Sequence, residues 1–489
     1  MFNDLRLVKN KAVYLQIKDY IKGLILSGVL LPGVKLPASR ELAAILKVSR
    51  NTVVQAYQYL EDDGFIHTVK GRGVFAAAVS VRKEQENLNL NWESRVNGFA
   101  KKAVALDIEK NELRWEKGML SFKSIAPNPE LFSLEDFKRA VLNRLAAEGE
   151  KLLNYGYARG YKYLLEYLTG YMKNKGVESS GKELLITNGF TEGFNLLLSA
   201  LAAPGDKVVC ENPTHNTALK IMRLAGLKIT GVPVETDGIN LKILEERLAR
   251  EEFKLGFLIP SYHNPTGLVM APEKRVAVLK IFEKHQVPVV EDGFNEELRY
   301  YGSHVAPLMA LAGSGNGVVY LGSFSKVLFP GLRIGWIMGD SKLIAYLESV
   351  KRSFNIHTSF LDQAILCEFL QSGSFEKYLR KARKVYREQH QTATKLAMEH
   401  IPCRRIWGEG GLHIFIELDD GLNAREVLDQ CHRRGVLFMP GDIFYTDGGG
   451  ANTFRLGISR VSQKEMEQGF RIIGEVVKDL AMKLHSGKS

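Results

Sequence analysis

Ser323-Phe324-Ser325-Lys326-Val327-Leu328-Phe329-Pro330-Gly331-Leu332-Arg333-Ile334-Gly335 follows directly on an apolar run, Gly317–Leu321, that reads as a buried strand. A lysine at the mouth of such a strand can form an imine, and Ser323, Ser325 and Arg333 can together hold a phosphate dianion. Outward from this stretch, other strand-like runs end in related chemistry. Val287–Glu291 is very apolar and closes on Asp292, a carboxylate that is costly to bury without a cation. A protonated pyridine nitrogen would serve as that cation. The run Gly256–Pro260 precedes Asn264-Pro265-Thr266-Gly267, and Glu183–Thr187 precedes Asn188-Gly189-Phe190-Thr191-Glu192-Gly193. In the latter, glycines and a helix N-terminus offer backbone N–H groups to phosphate.

Each of these motifs alone is an ordinary turn. In this order they supply what pyridoxal 5'-phosphate needs: Lys326 for the Schiff base, Asp292 for the pyridinium nitrogen, and an anion cup. Strand-like runs (Lys207–Cys210 and Leu255–Ile259 are two more) alternate with helical periodicity from about Met119 onward. That alternation predicts an α/β fold, a parallel sheet covered by helices on both faces, with its chemistry at the carboxyl ends of the strands.

Residues 120–485 resemble the class I/II aminotransferases, which share the motif order of glycine turn, Asn-Pro-x-Gly, Asp, and Ser-x-Ser-Lys with an arginine seven residues on. The resemblance implies a small C-terminal α+β subdomain beside the large one. It implies that Gly189, Phe190, Thr191, Asn264, Ser323, Ser325 and Arg333 hold the cofactor with Asp292 and Lys326. It puts the ring-stacking group at His215, in Glu211-Asn212-Pro213-Thr214-His215, and the effector-carboxylate arginine at Arg455, in Phe454-Arg455-Leu456-Gly457. It also implies that Tyr155 reaches the phosphate of a partner subunit. One departure is Phe294, where the family has a tyrosine that donates to the cofactor's 3-oxygen; His215 is a second. Both changes imply cofactor binding with looser chemistry, favouring a persistent bound state over completed transamination.

The first eighty residues carry 11 Lys and Arg against 6 Asp and Glu, nearly half of the chain's net +11 in a sixth of its length. Tyr14, Ile17, Ile21, Leu24 and Ile25 recur at helical spacing. Ser39 is placed to cap a second helix, Arg40–Leu46, and Ser49 a third, Asn51–Asp62. Phe65–Val69 and Val74–Ala78 read as two strands joined at Lys70-Gly71-Arg72-Gly73. Two helices joined by a tight turn, then a basic hairpin, make a winged helix-turn-helix. The third helix would present Arg50, Asn51 and Thr52 to base edges of double-stranded DNA. Ser39 and Arg40 would grip phosphate, and Lys70 and Arg72 the neighbouring backbone or minor groove. The wording Leu36-Pro37-Ala38-Ser39-Arg40-Glu41-Leu42-Ala43, Val48-Ser49-Arg50-Asn51-Thr52-Val53 and Gly71-Arg72-Gly73-Val74-Phe75 resembles the GntR family of bacterial regulators over residues 12–77, with Ala38 where that family has a serine.

The expected domains are a DNA-binding head at 1–78, a linker at 79–118 and an aminotransferase-like domain at 119–485. The linker holds the polar run Arg82-Lys83-Glu84-Gln85-Glu86, and its Trp residues are expected to dock onto a domain. No apolar run approaches the ~20 residues of a bilayer crossing, and Met1–Asn10 has no continuous apolar core of a secretory signal. Cys210, Cys367, Cys403 and Cys431 are scattered, which argues against a disulfide framework or zinc site and for a reducing cytoplasm.

A GntR head on an aminotransferase-like body is similar to the MocR subfamily of regulators. That resemblance implies a head-to-tail homodimer, an operator in double-stranded DNA, and a small amine, amino acid or the vitamin itself as signal. Three function classes remain: a cofactor-dependent regulator, an active aminotransferase with an accessory head, and a DNA-binding protein with the large domain as bare scaffold. The head argues against the second, and the set Asp292, Lys326, Arg333 and Arg455 against the third.

Overall fold

Ile17, Ile21 and Ile25 recur every fourth residue, and that stripe is buried along α1 (Val13–Leu26). α2 (Ser39–Leu46) and α3 (Arg50–Asp62) pack on it through Leu42, Val53, Ala56 and Leu60. Ser49 caps α3, its Oγ accepting from the Thr52 N–H at 3.1 Å. Ser39, expected as the cap of α2, is instead its first helical residue. The cap position is Ala38, which has no side-chain oxygen; its own N–H donates to Glu41 Oε2 at 3.3 Å. β1 (Ile66–Val69) and β2 (Gly73–Ala76) pair antiparallel with Val69 opposite Gly73, leaving Lys70-Gly71-Arg72 at the tip with Gly71 at φ +78°.

This computed structural model describes residues 2–78, 89–300 and 305–486. The chain divides into two compact units, Met1–Val96 and Asn97–Ser489. The expected linker therefore has two parts. Its polar run, within 79–88, lies outside the described residues. Trp92 is exposed rather than docked. From Asn97 on, the chain packs within the second unit: α4 (Gly98–Ala105) leads to Glu112, whose carboxylate accepts from Arg425 Nη2 at 3.0 Å and Nη1 at 3.2 Å.

The large sheet of the second unit is built from β3 (Lys182–Thr187), β4 (Lys207–Asn212), β5 (Lys228–Glu235), β6 (Gly238–Ile239), β7 (Leu255–Leu258), β8 (Val289–Asp292), β9 (Val318–Ser323) and β10 (Gly335–Asp340). α5 (Gly189–Leu201) follows β3, and α6 (Ser341–Phe354) follows β10. The strand order is β3-β10-β9-β8-β7-β4-β5-β6. β9, β8, β7, β4 and β5 are parallel as expected. β10 corrects the all-parallel reading: it runs antiparallel to both β9 and β3. The stretch 324–334 that links β9 to β10 carries only a short helical turn at Pro330–Leu332, too little chain for a crossover helix.

Successive strand residues serve opposite faces. Leu185, Phe257 and Ile337 enter one apolar cluster with Phe194; their neighbours Ile186, Leu258 and Trp336 enter the other with Leu168 and Phe282. A smaller core forms where α7 (Ser374–His400) and α8 (Gln463–Ser486) cover a four-stranded antiparallel sheet. Its strands are β11 (Arg405–Trp407), β12 (His413–Glu417), β13 (Met439–Pro440) and β14 (Thr453–Gly457), in the order β11-β12-β14-β13. β14 brings Arg455 toward the carboxyl ends of the large sheet, where it meets Asn264.

Candidate cofactor and effector site

β3 and β9 end side by side across β10, and their following turns meet. Gly189 opens α5 at φ +74°, a backbone conformation that favours glycine. Arg333 sits at φ +52° just before β10 and turns its guanidinium back over this turn. Its Nη1 donates to Ser325 Oγ at 3.2 Å and its Nη2 to Asn188 O at 3.3 Å. Ser323 Oγ accepts from the Ser325 N–H at 3.2 Å. Gly189, Ser323, Ser325 and Arg333 thus converge, and Phe190 and Thr191 follow in the first turn of α5, with Thr191 exposed. A helix N-terminus, two hydroxyls and a guanidinium suit a dianionic phosphate.

Asp292 is the last residue of β8 and is buried. Burial, then the nearby carboxylates of Glu296, Glu211 and Glu291, push its pKa well above the usual carboxylate range. The nearest ring nitrogen, His215 Nδ1, lies 3.9 Å away and makes no hydrogen bond. Burial, then Lys326, Arg455 and His263, lower the His215 pKa to about 3, so this imidazole is neutral and supplies no cation. Among the described residues Asp292 has no cation within ion-pair distance, and a pyridinium ring would complete this buried carboxyl. Lys326 is pushed down to about 8 by burial and then by Arg455, Arg333 and Arg460. About a tenth of such an amine is unprotonated at pH 7, far more than for an ordinary lysine. The donor set therefore fits pyridoxal phosphate: Arg333, Ser325 and the Gly189 turn for the phosphate, Asp292 for the ring nitrogen, Lys326 for the aldehyde carbon.

Beside Lys326 lies a cavity of about 750 Å³ whose wall includes His215, Asn264 and Arg455. Arg455 is 5 % exposed; its Nη1 donates to Asn264 Oδ1 at 2.8 Å and its Nη2 to Lys123 O at 3.3 Å, while its Nε has no partner. A guanidinium stays protonated at neutral pH. Buried with neutral acceptors only, it calls for an anion. Asn264 Nδ2 is likewise buried and unpartnered.

Tyr155, expected at a partner subunit's phosphate, and Phe294, the departure from the family's tyrosine, are not among the residues lining this cavity. Tyr155 is 79 % exposed and packs edge-on to His357, 6.0 Å between ring centres; within one chain it does not reach the phosphate cup. Phe294 packs against the apolar clusters on both faces of the sheet and does not line the cavity. The next residue, Asn295, is buried with both amide atoms unpartnered and φ +57°. His215, expected to stack on the cofactor ring, does line the cavity and tilts against Phe190 at 5.1 Å.

The sequence reading missed five contributors. Arg114, Trp115, Lys123 and Lys220 also line the cavity. Lys351, fully buried on α6, donates to Ile186 O at 2.6 Å, Ala158 O at 3.0 Å and Thr358 Oγ1 at 3.0 Å, tying the end of β3 to the Tyr155 segment. An unusually buried lysine has no local signature in sequence.

In the head, Arg40, Arg50, Asn51, Lys70 and Arg72 are exposed, and Ser39, Ser49 and Thr52 stand with them at the starts of α2 and α3. Arg50 Nε donates to Ser39 Oγ at 3.5 Å, and the Ser49 and Thr52 hydroxyls lie 2.7 Å apart. The hairpin tip carries two further exposed cations, Lys70 and Arg72.

Residues 127–473 match the family "Aminotransferase class I and II", and residues 13–76 match "Bacterial regulatory proteins, gntR family". The HTH-type transcriptional regulator YdfD of Bacillus subtilis is 27% identical, covering 98% of this chain and 99% of its own length. The probable rhizopine catabolism regulatory protein MocR of Rhizobium meliloti is also 27% identical, covering 93% of this chain and 91% of its own. Among solved structures, LysN, the alpha-aminoadipate aminotransferase of Thermus thermophilus complexed with N-(5'-phosphopyridoxyl)-L-leucine, superposes with a TM-score of 0.73 at 31% identity, over 80% of this chain and 100% of that one.

Proposed function

The chain belongs to the aminotransferase class I and II family and carries a gntR-family head, and from that premise we propose that it is a transcriptional regulator whose large domain holds pyridoxal phosphate and senses a small amine or amino acid. One observation carries the reading: a single chain combines side chains placed as a bound pyridoxal phosphate would need them with an exposed basic surface on a gntR-family head. Bound pyridoxal phosphate would supply an electrophilic carbon for an incoming amine. The chain's own residues do the rest. Arg333, Ser323, Ser325 and the Gly189 turn would anchor the phosphate. Asp292 would hold the ring nitrogen protonated, Asn264 would donate from its free Nδ2, and Arg455 would take the effector's carboxylate. Lys326, with its lowered pKa, would hold or release the proton of its amine at Nζ.

Arg40, Arg50, Asn51, Thr52, Lys70 and Arg72 would read an operator in double-stranded DNA, with Ser39 and Ser49 shaping the helix ends. A homodimer fits the exposed apolar side chains of Tyr155, which packs on His357, of Tyr157, which packs on Phe360, and of Phe354 and Ile356. In such a dimer Tyr155 would reach the partner's phosphate cup. A cytoplasmic location goes with this reading; among the described residues no helix is long and apolar enough to cross a membrane.

The test is a visible spectrum of the purified protein and of Lys326→Ala, titrated with a panel of amines, with operator binding measured alongside. The wild type should show an imine band that amines shift and that Lys326→Ala lacks. A borohydride-trapped adduct that persists in Lys326→Ala would sink the assignment. Keto-acid formation at about 1 per second or faster would favour an aminotransferase instead.

A further inference from the structure

The cavity beside Lys326 is walled in part by the stretch that leads out of the head. Asp107, Ile108, Arg114 and Trp115 all face it, although they precede the family match that begins at residue 127. This wall is built into the second unit. Glu112 is held bidentately by Arg425, Leu113 packs on the C-terminal core, and Trp115 Nε1 donates to Met119 O at 2.9 Å. The Arg114 carbonyl lies 3.1 Å from His432 Nε2, so its backbone is held on both sides.

The charge of the cavity is lopsided. Arg114, Lys123, Lys220, Lys326 and Arg455 face it against one carboxylate, Asp107. Two of these cations have assigned tasks, Lys326 with the cofactor and Arg455 with an effector's carboxylate. The other three exceed what a simple amine or a neutral amino acid requires. Asp107 lies 4.0 Å from Lys220, and Lys123 Nζ donates to Leu113 O at 3.4 Å, so both lysines are partly engaged. The Arg114 guanidinium has no hydrogen-bond or ion-pair partner among the described residues. It is a cation on a fixed backbone, facing a cavity, with nothing to pair with.

Resting on the sensing role proposed above, we infer that the effector is an amino acid with a second anion on its side chain. Its α-carboxylate goes to Arg455 and its distal carboxylate or phosphate to Arg114, with Lys220 and Lys123 adding to the field. A guanidinium pairs bidentately with either anion.

The experiment uses the full-length protein loaded with pyridoxal phosphate. L-Glutamate and L-glutamine, and O-phospho-L-serine and L-serine, are titrated in turn, reading the shift of the cofactor's absorbance band and the melting temperature. A charge-assisted contact predicts that at least one acidic member binds about tenfold or more tighter than its neutral twin. Preference for glutamate assigns a carboxylate, preference for phosphoserine a phosphate. In Arg114→Gln that ratio should fall toward one, and in Lys220→Gln it should fall in part. A ratio near one in the wild type, or one that survives in Arg114→Gln, overturns the inference. If neutral amino acids shift the band without acidic preference, only this inference falls. If none of the four compounds shifts it, this inference falls, and the amine panel on the wild-type spectrum decides the sensing role separately.

Discussion

Gly189 and Arg333 touch: a Cβ on Gly189 would lie 2.9 Å from Arg333 Nη2 and 3.3 Å from its Cζ. The two come from turns after different strands, and the missing side chain is what lets the guanidinium lie against the start of α5. Gly189 also holds φ +74°, which an L side chain rarely adopts. Gly189→Ala should therefore weaken pyridoxal phosphate binding by about tenfold or more through displacement of Arg333. Fluorescence titration of the apo protein checks this; an unchanged Kd would show that the phosphate does not sit there.

Lys326 makes cofactor capture depend on pH. Its pKa is lowered to about 8 by burial and neighbouring cations, so the reactive amine becomes more abundant as pH rises through that value. The rate of cofactor capture should climb about tenfold per pH unit below 7 and level off above about 8 to 9. Stopped-flow absorbance from about pH 6 to about pH 10 reads this profile. A rise continuing to about pH 10, as for an ordinary lysine, would contradict the site described.

Lys351 joins three acceptors from separate segments of the chain: Ala158 O, Ile186 O and Thr358 Oγ1. Lys351→Met fills much the same space but withdraws the donor from all three, at a cost of about 2 kcal/mol or more. Urea denaturation should show that loss, and cofactor affinity should drop with it, because the end of β3 bears the Gly189 turn. A stable variant with weakened cofactor binding would indicate that only the positioning is lost.

Arg50 is exposed at the first position of α3, within 3.5 Å of Ser39 Oγ. If it contacts phosphate, Arg50→Ala should lower DNA affinity and reduce the log–log salt slope by about 1, and Arg40→Ala should act similarly. Fluorescence anisotropy at several salt concentrations measures both. Unchanged affinity and slope in the double variant would remove this face as the DNA reader.

Much of this molecule was legible because its signals are local. The isoleucine stripe of α1, the Ser49 cap and the hairpin around Gly71 depend on residues a few positions apart, and each is found where spacing placed it. The apolar runs that became β3, β4, β7, β8 and β9 needed only composition and flanking turns. Because all five run parallel, their ends had to gather, so Asp292, Lys326 and Gly189 could be assigned to one place from chain order alone.

Other features were decided by contacts between residues distant in sequence. β10 reverses because the chain between it and β9 cannot cross the sheet, and its partner β3 lies far upstream. Phe294 reads as the place where the family's donating tyrosine is missing, and its side chain packs into the apolar layers. Residues 79–118 read as a linker, and of these 97–118 belong to the second unit. They become a cavity wall because Arg425, 313 residues on, holds Glu112, and because the small core accepts Leu113. Periodicity reports which face of a segment is apolar; it carries no information about which distant charge will neutralise a side chain on the other face. That pairing exists only once the chain has folded, and it is what turns Arg114 from one more surface cation into a wall residue of the cavity.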